Sequence, residues 1–149
     1  MDYKFNSYSE DDTRELAENI ESEKFKNMVI CLNGDLGSGK TVFAAAFAKS
    51  NQVEENITSP TFNIVKEYKG ELNLYHMDVY RLKGKKEELG LEEYFNKGGV
   101  TIIEWADMIE DILPKNRLDI EIKIVDDNRR IMYITAHGSK YIDLCEKVL

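Results

Sequence analysis

Residues 3–8 alternate between polar and apolar positions, which predicts a short first strand. Ser9 then precedes Glu10, Asp11 and Asp12, a helix start with acids in its first turn. Leu16, Ala17 and Ile20 give that helix an apolar face up to about Ser22. Residues 28–32, MVICL, are continuously apolar, as expected of a strand buried on both faces. A glycine-rich loop follows, and a helix is predicted over 42–49 with Phe43, Ala46 and Phe47 inward. Two alternating blocks, 61–68 and 71–80, meet at Lys69-Gly70 and predict a β-hairpin. Residues 83–86 are a polar loop, and 87–95 carry a helical pattern weakened by Gly90. After the break at Gly98-Gly99, residues 100–103 are another buried strand, and 106–113 a short helix stopped by Pro114. Residues 117–125 and 129–135 form a second hairpin around Asp126-Asp127-Asn128, and 139–149 a closing helix. No repeat or linker interrupts this order. It predicts an α/β sandwich with a mixed sheet and antiparallel hairpin additions, residues 1–149 forming a single domain.

The chemistry concentrates in the loop after the first buried strand. Gly34-Asp35-Leu36-Gly37-Ser38-Gly39-Lys40-Thr41 matches G-x-x-x-x-G-K-[ST] in full. Glycines let the backbone turn tightly, so that successive amides point at phosphate oxygens. The helix that begins here, through Val42, brings the positive end of its dipole to the same place. Lys40 can reach β- and γ-phosphates, and the Thr41 hydroxyl can ligate Mg²⁺. The apolar strand before the loop and the amphipathic helix after it are the context that this motif requires. ATP with Mg²⁺ is the expected ligand, and the fold is expected to be P-loop NTPase-like.

Phosphoryl chemistry needs a further carboxylate near the metal. Glu104, at the end of VTII, and Asp78, at the end of LNLYHMD, are the candidates. Either can hold a metal-bound water while the other orients the attacking water; a surface carboxylate at a strand end is the plain alternative for each. Trp105 follows Glu104 and can pack over a nucleotide, or serve as a half-buried core aromatic. Ser59-Pro60-Thr61 reads as an ordinary turn or as a switch that senses the γ-phosphate. His76 and Arg81 read, without further information, as a strand histidine and a solvated arginine.

Charge narrows the partners. The chain of 149 residues carries 28 acidic and 20 basic residues, net −8. Autonomous tRNA or duplex binding needs a basic face, so contact with tRNA is expected only as a member of a larger complex. The short stretches Lys83–Lys86 and Arg129-Arg130 are the local exceptions. Cys31 and Cys145 have no metal-ligand spacing and read as reduced, packed thiols. No run approaches the about 18 apolar residues of a membrane span. The opening MDYKFNSYSEDD is unlike a secretory signal, so a cytoplasmic protein is expected.

Four segments taken in order are similar to one family. They are Gly34–Thr41, Ser59-Pro60-Thr61-Phe62, His76-Met77-Asp78-Val79-Tyr80-Arg81-Leu82 and Ile103-Glu104-Trp105. Together they resemble the TsaE family, the bacterial ATPases of tRNA threonylcarbamoyladenosine formation. Ser38 stands where that family often has alanine, a position that contributes mainly backbone. The resemblance implies an ATPase that works with TsaB and TsaD; with the switch Ser59–Phe62 and Arg81 on surface turns and no tRNA-binding face of its own, the protein is expected to be slow alone and stimulated by these partners. It implies Thr41 and Glu104 as Mg²⁺ ligands, and Lys40 and Asp78 as the groups serving hydrolysis. The nucleotide would lie against the loop from Asp35 to Val42 and beside Trp105. Glu10, Thr13 and the arginines after Asn128, Arg129 first, would be on the adenine side. Ser59, Thr61, His76 and Arg81 would form the switch and partner surface.

Three rivals share the loop. A small-molecule kinase gathers arginines around the transferred phosphate, and this chain offers only Arg14, Arg81, Arg117, Arg129 and Arg130. A GTPase reads guanine with N-K-x-D, but Asn96-Lys97-Gly98-Gly99 lacks the aspartate. A nucleotide-gated scaffold with negligible turnover shares every binding residue.

Overall fold

A computed structural model of the chain describes residues 1–58, 64–80 and 90–149. Seven strands form one mixed sheet: β1 (Asp2–Ser7), β2 (Met28–Gly34), β3 (Val65–Tyr68), β4 (Leu74–Asp78), β5 (Val100–Glu104), β6 (Arg117–Ile124) and β7 (Arg130–His137). Their order is β1-β7-β6-β2-β5-β4-β3. The centre is parallel, with β2 between β5 and β6 and β4 beside β5. The two predicted hairpins, β3–β4 and β6–β7, are antiparallel, and β1 closes one edge against β7. The predicted mixed sheet with antiparallel additions is therefore the one observed.

The alternation of each strand assigns its two faces. Met28, Ile30 and Leu32 of β2 pack with Ile102, Ile120 and Ile134 under α1 (Glu10–Ser22), α2 (Lys40–Ser50) and α3 (Ser139–Val148). Val29 and Cys31 point the other way and join Met77, Ile103, Leu91, Phe95 and Ile109. That second layer comes from two short 3-10 segments, Leu91–Asn96 and Ala106–Ile112. β2 can be apolar throughout because both of its faces are covered.

Some boundaries differ from the sequence reading. Helical character over 87–95 is confined to Leu91–Asn96 among the described residues, because Gly90 sits at φ 61 and no right-handed helix continues through that conformation. The segment after Trp105 is a 3-10 helix broken at Ile109, where φ is −127°. The block 71–80 pairs as a strand only from Leu74, since Leu72 exchanges hydrogen bonds with the buried Asn51 side chain instead. The start of the 61–68 block lies outside the described residues until 64, and the loop 83–86 lies outside them altogether.

One tertiary bond ties α3 to the central strand. The pairing of β2 with β6 starts at Ile30, and the Val29 amide donates to the Tyr141 hydroxyl at 2.8 Å. Tyr141 is buried, and burial pushes its phenol up to about 12. Tyr141→Phe keeps the ring and orphans a buried amide, which costs about 1–3 kcal/mol. We expect a lower urea midpoint with an unchanged slope; an unaltered midpoint would show that water replaces the hydroxyl.

Candidate functional site

The loop between β2 and α2 is shaped by what its glycines permit. A Cβ on Gly34 would lie 2.6 Å from Ser38 Oγ and 2.7 Å from the Ile122 carbonyl oxygen, so no side chain fits there. Gly39 caps α2 at φ 112, a left-handed conformation that favours glycine, and its carbonyl accepts from Phe43 N at 3.0 Å. Arg130, at the start of β7, holds the loop from outside. Its Nε donates to the Ser38 carbonyl at 3.0 Å and its Nη2 to the Gly37 carbonyl at 3.2 Å. In a planar trans peptide the carbonyl and the next amide point in opposite directions. Turning the Ser38 carbonyl toward Arg130 therefore turns the Gly39 amide the other way.

The loop floors a cleft of about 670 Å³. Its walls are the first turn of α1, the strand ends bearing Asp78, Glu104 and Trp105, and the Asp127–Arg130 side of the β6–β7 turn. Lys40 is buried at the start of α2, its Nζ donating to the carbonyls of Gly34 at 2.5 Å and Asp35 at 3.0 Å. The same ammonium lies 4.1 Å from the centre of the Trp105 ring. Burial pulls the Lys40 ammonium below its ordinary value, and Glu104, Asp78, Asp35 and Asp107 oppose that shift.

Beside it, Thr41 Oγ1 stands 3.3 Å from each oxygen of the Glu104 carboxylate. A hydroxyl and a carboxylate are hard oxygen donors of the kind Mg²⁺ takes, so this pair fits that ion. Glu104 is 2% exposed, and its Oε2 also meets His76 Nε2 at 2.6 Å. Asp78 lies opposite Glu104 in the β4–β5 register. Burial raises the Asp78 carboxyl above its ordinary value, the amide of Tyr80 offsets part of that, and the Glu104 charge adds to it. Trp105 has φ 62, a costly conformation for a non-glycine residue, and its amide donates to Leu32 O at 2.9 Å.

The sequence-read residues are thus brought to one place, with exceptions. Leu36, Gly37, Ser38, Gly39, Val42, Glu10 and Thr13 all line the cleft. Thr13 is buried and its hydroxyl is engaged with Ser7 Oγ at 2.9 Å. Asp35 is exposed and contributes its carbonyl to Lys40. Arg129 does not line the cleft; it pairs with Asp126 at 2.6 Å on the exposed turn, and the neighbouring Arg130 is the arginine that reaches the loop. Strand alternation sends two adjacent residues to opposite sides, and the sequence alone does not say which one faces in. His76 is a correction. Expected on a switch or partner surface, it is 0% exposed, because it lies in β4 between β3 and β5 with its side chain on Glu104. Ser59, Thr61 and Arg81 lie outside the described residues. No helix among the described residues is long and apolar enough to cross a membrane.

Comparison with known proteins gives the family. Residues 7–132 match the family of the threonylcarbamoyl adenosine biosynthesis protein TsaE. The tRNA threonylcarbamoyladenosine biosynthesis protein TsaE of Bacillus subtilis is 43% identical over 146 residues, covering 97% of this chain and 92% of that protein. The protein of the same name from Haemophilus influenzae is 36% identical over 113 residues, 73% of this chain and 71% of its own. A crystal structure of YdiB from Bacillus subtilis superposes with a TM-score of 0.84 at 41% identity, covering 99% of this chain and 94% of that one. With a family match running through most of the chain and a relative 43% identical along nearly its whole length, this protein belongs to the TsaE family of tRNA threonylcarbamoyladenosine biosynthesis proteins.

Proposed function

We propose that the protein binds ATP with Mg²⁺ in the Gly34–Thr41 cleft and hydrolyses it slowly, as the nucleotide-driven component of the tRNA threonylcarbamoyladenosine machinery. In this reading residues 1–149 act as one domain, in the cytoplasm, with TsaB and TsaD as partners and tRNA met only through them. The observation that carries the proposal is the convergence of Lys40, Thr41, Glu104 and Asp78 at the N-terminus of α2.

Each group has a distinct task. The loop amides and the positive end of α2 favour the polyphosphate. Lys40 is held by two carbonyls and the Trp105 ring, from which its ammonium can be transferred to a phosphate oxygen, a stronger acceptor. Thr41 and Glu104 would hold Mg²⁺, which when bound neutralises phosphate charge. Asp78, half-buried and with its carboxyl raised, would accept a hydrogen bond from water and orient it for attack. Among the described residues only Arg14 and Arg130 bring guanidinium groups to the cleft, and both are engaged, Arg14 with Asp11 and Arg130 with the loop. Among the described residues there is thus no arginine cluster of the kind a small-molecule kinase uses.

The rim supports a role for partners. Leu36, at the tip of the phosphate loop, is 89% exposed. Tyr80 and Met108 are also exposed, the first tilted at 45° against Trp105 with 4.7 Å between ring centres, the second one turn beyond it. Apolar side chains displayed around a nucleotide cleft suit a partner that covers the site and sets its rate.

Three outcomes test this reading. Lys40→Ala should weaken ATP binding tenfold or more, since it removes the cation that meets the phosphates; calorimetric titration giving equal affinities would remove Lys40 from the site. Asp78→Asn should bind ATP much as the parent does and lose about 100-fold in hydrolysis, because orienting a water acts only in the transition state. Abolished binding with normal turnover per bound nucleotide would reverse the roles of the carboxylates. Phosphate release should be slow for the pure protein and rise when TsaB and TsaD are added. Met108→Glu should reduce that rise and leave the basal rate unchanged. A fast rate that the partners do not alter would return the kinase reading.

A further inference from the structure

The most buried charged contact in the site has no task in the scheme above. His76 is wholly buried, and its Nε2 lies 2.6 Å from Glu104 Oε2. Its other ring nitrogen, Nδ1, is buried and has no hydrogen-bond partner. A buried N–H without a partner is rarer than an under-used acceptor. The arrangement therefore assigns the hydrogen to Nε2, which donates to the carboxylate, and leaves Nδ1 as the bare acceptor. Strand geometry enforces the contact. His76 and Asp78 are two residues apart on β4 and share one face, and Asp78 stands opposite Glu104 in the parallel register. His76 thus reaches Glu104 diagonally from the adjacent strand.

The two partners of Glu104 differ in kind. Thr41 stands at 3.3 Å from both oxygens and favours neither. His76 grips Oε2 alone, at a distance typical of a charge-assisted bond. Among the described residues no other side chain donates to this carboxylate. A glutamate has three rotatable bonds, and a carboxylate held only by the Thr41 hydroxyl would be free to turn away from it.

We propose that His76 is a positioning residue for Glu104: by holding Oε2 it fixes the carboxylate so that Oε1 is presented beside Thr41 as a metal acceptor. This rests on the reading of Glu104 and Thr41 as the Mg²⁺ pair. His76 touches neither nucleotide nor metal in this scheme and acts only through Glu104. Outer partners of this kind set ligand orientation, and their loss costs about 10–100-fold in metal affinity.

The test compares side chains that differ in whether they can reach. Glutamine places an amide N–H near the position of imidazole Nε2, asparagine is one methylene shorter, and methionine fills the space with no donor. ATP affinity is measured for each full-length variant in excess Mg²⁺ and in EDTA, and the ratio is the metal-linked gain. His76→Met and His76→Asn should lose about 10–100-fold of that gain. His76→Gln should keep it within a few-fold, and affinity in EDTA should match the parent for all three. In a Glu104→Gln background, His76→Met should remove nothing further. The asparagine–glutamine pair keeps the test decisive if methionine does not fold. The inference is overturned if glutamine and asparagine behave alike, or if affinity in EDTA falls as far as affinity in Mg²⁺, which marks a purely structural histidine. A parent protein with no metal-linked gain would instead overturn the Mg²⁺ assignment, and the inference with it.

Discussion

The register of three parallel strands is the constraint on which the site depends. Leu32 of β2 stands opposite Glu104 of β5, and Glu104 opposite Asp78 of β4. β4 and β5 therefore end on one line, which β2 crosses at Leu32, two residues before its own end. β2 runs on from that line into the phosphate loop, β5 ends in the residue that meets Thr41, and β4 ends in the second carboxylate. In an open α/β sheet ligands bind outside the carboxyl ends of the strands, where successive connections diverge. A slip of one residue in β5 would put Glu104 on the opposite face and Ile103 at Thr41. The apolar sets on the two faces, Ile102 under the helices and Ile103 under the 3-10 segments, forbid that slip. Core packing and site geometry are thus one constraint expressed twice.

Placing charge at the end of a sheet has a cost that the surroundings must offset. Lys40, Glu104 and His76 are all buried, and an isolated buried charge is expensive. The site meets this locally. Lys40 is bonded to two carbonyls and lies over Trp105, Glu104 has a hydroxyl and an imidazole, and each sign lies near the other. Three side-chain atoms among the described residues are left unmet: Ser38 Oγ, His76 Nδ1 and Tyr68 Oη are buried without partners. A fold optimised for stability alone would satisfy or remove such atoms. Those of Ser38 and His76 lie at or behind the cleft, and that of Tyr68 lies in the apolar core beneath α1 to α3.

Much of this was legible in the residues, for physical reasons that can be named. The motif from Gly34 to Thr41 is local, and local backbone geometry follows from local sequence. The continuous apolar run at 28–32 announced a strand covered on both sides, and Ser9 with its acids announced α1. What stayed hidden was set by pairing across the sheet. Nothing local distinguishes His76 as a buried partner of Glu104 from an exposed strand histidine, because the distinction rests on which strand lies beside β4. Nor does the pair Arg129-Arg130 reveal which of its members faces the loop. The 3-10 segments read as helices because their apolar patterns are alike, and it is hydrogen bonds three residues apart, such as Met108 N to Trp105 O, that separate them.

Trp105 shows how the same line of strand ends is used a second time. Its left-handed backbone costs on the order of 1–3 kcal/mol, which the surroundings must over-determine. They do so with two bonds to the end of β2: the Trp105 amide donates to the Leu32 carbonyl, and the Asp107 amide two residues on donates to the Asn33 side-chain oxygen Oδ1. The chain leaving β5 is thereby pinned across the end of β2, immediately above the residues that begin the phosphate loop. A right-handed residue at this point would carry the chain away from β2 and the indole away from Lys40. The strained conformation instead lays the ring against the ammonium and gives Tyr80 a ring to pack against. The lysine of the loop and the exposed aromatic at the rim therefore share one side chain.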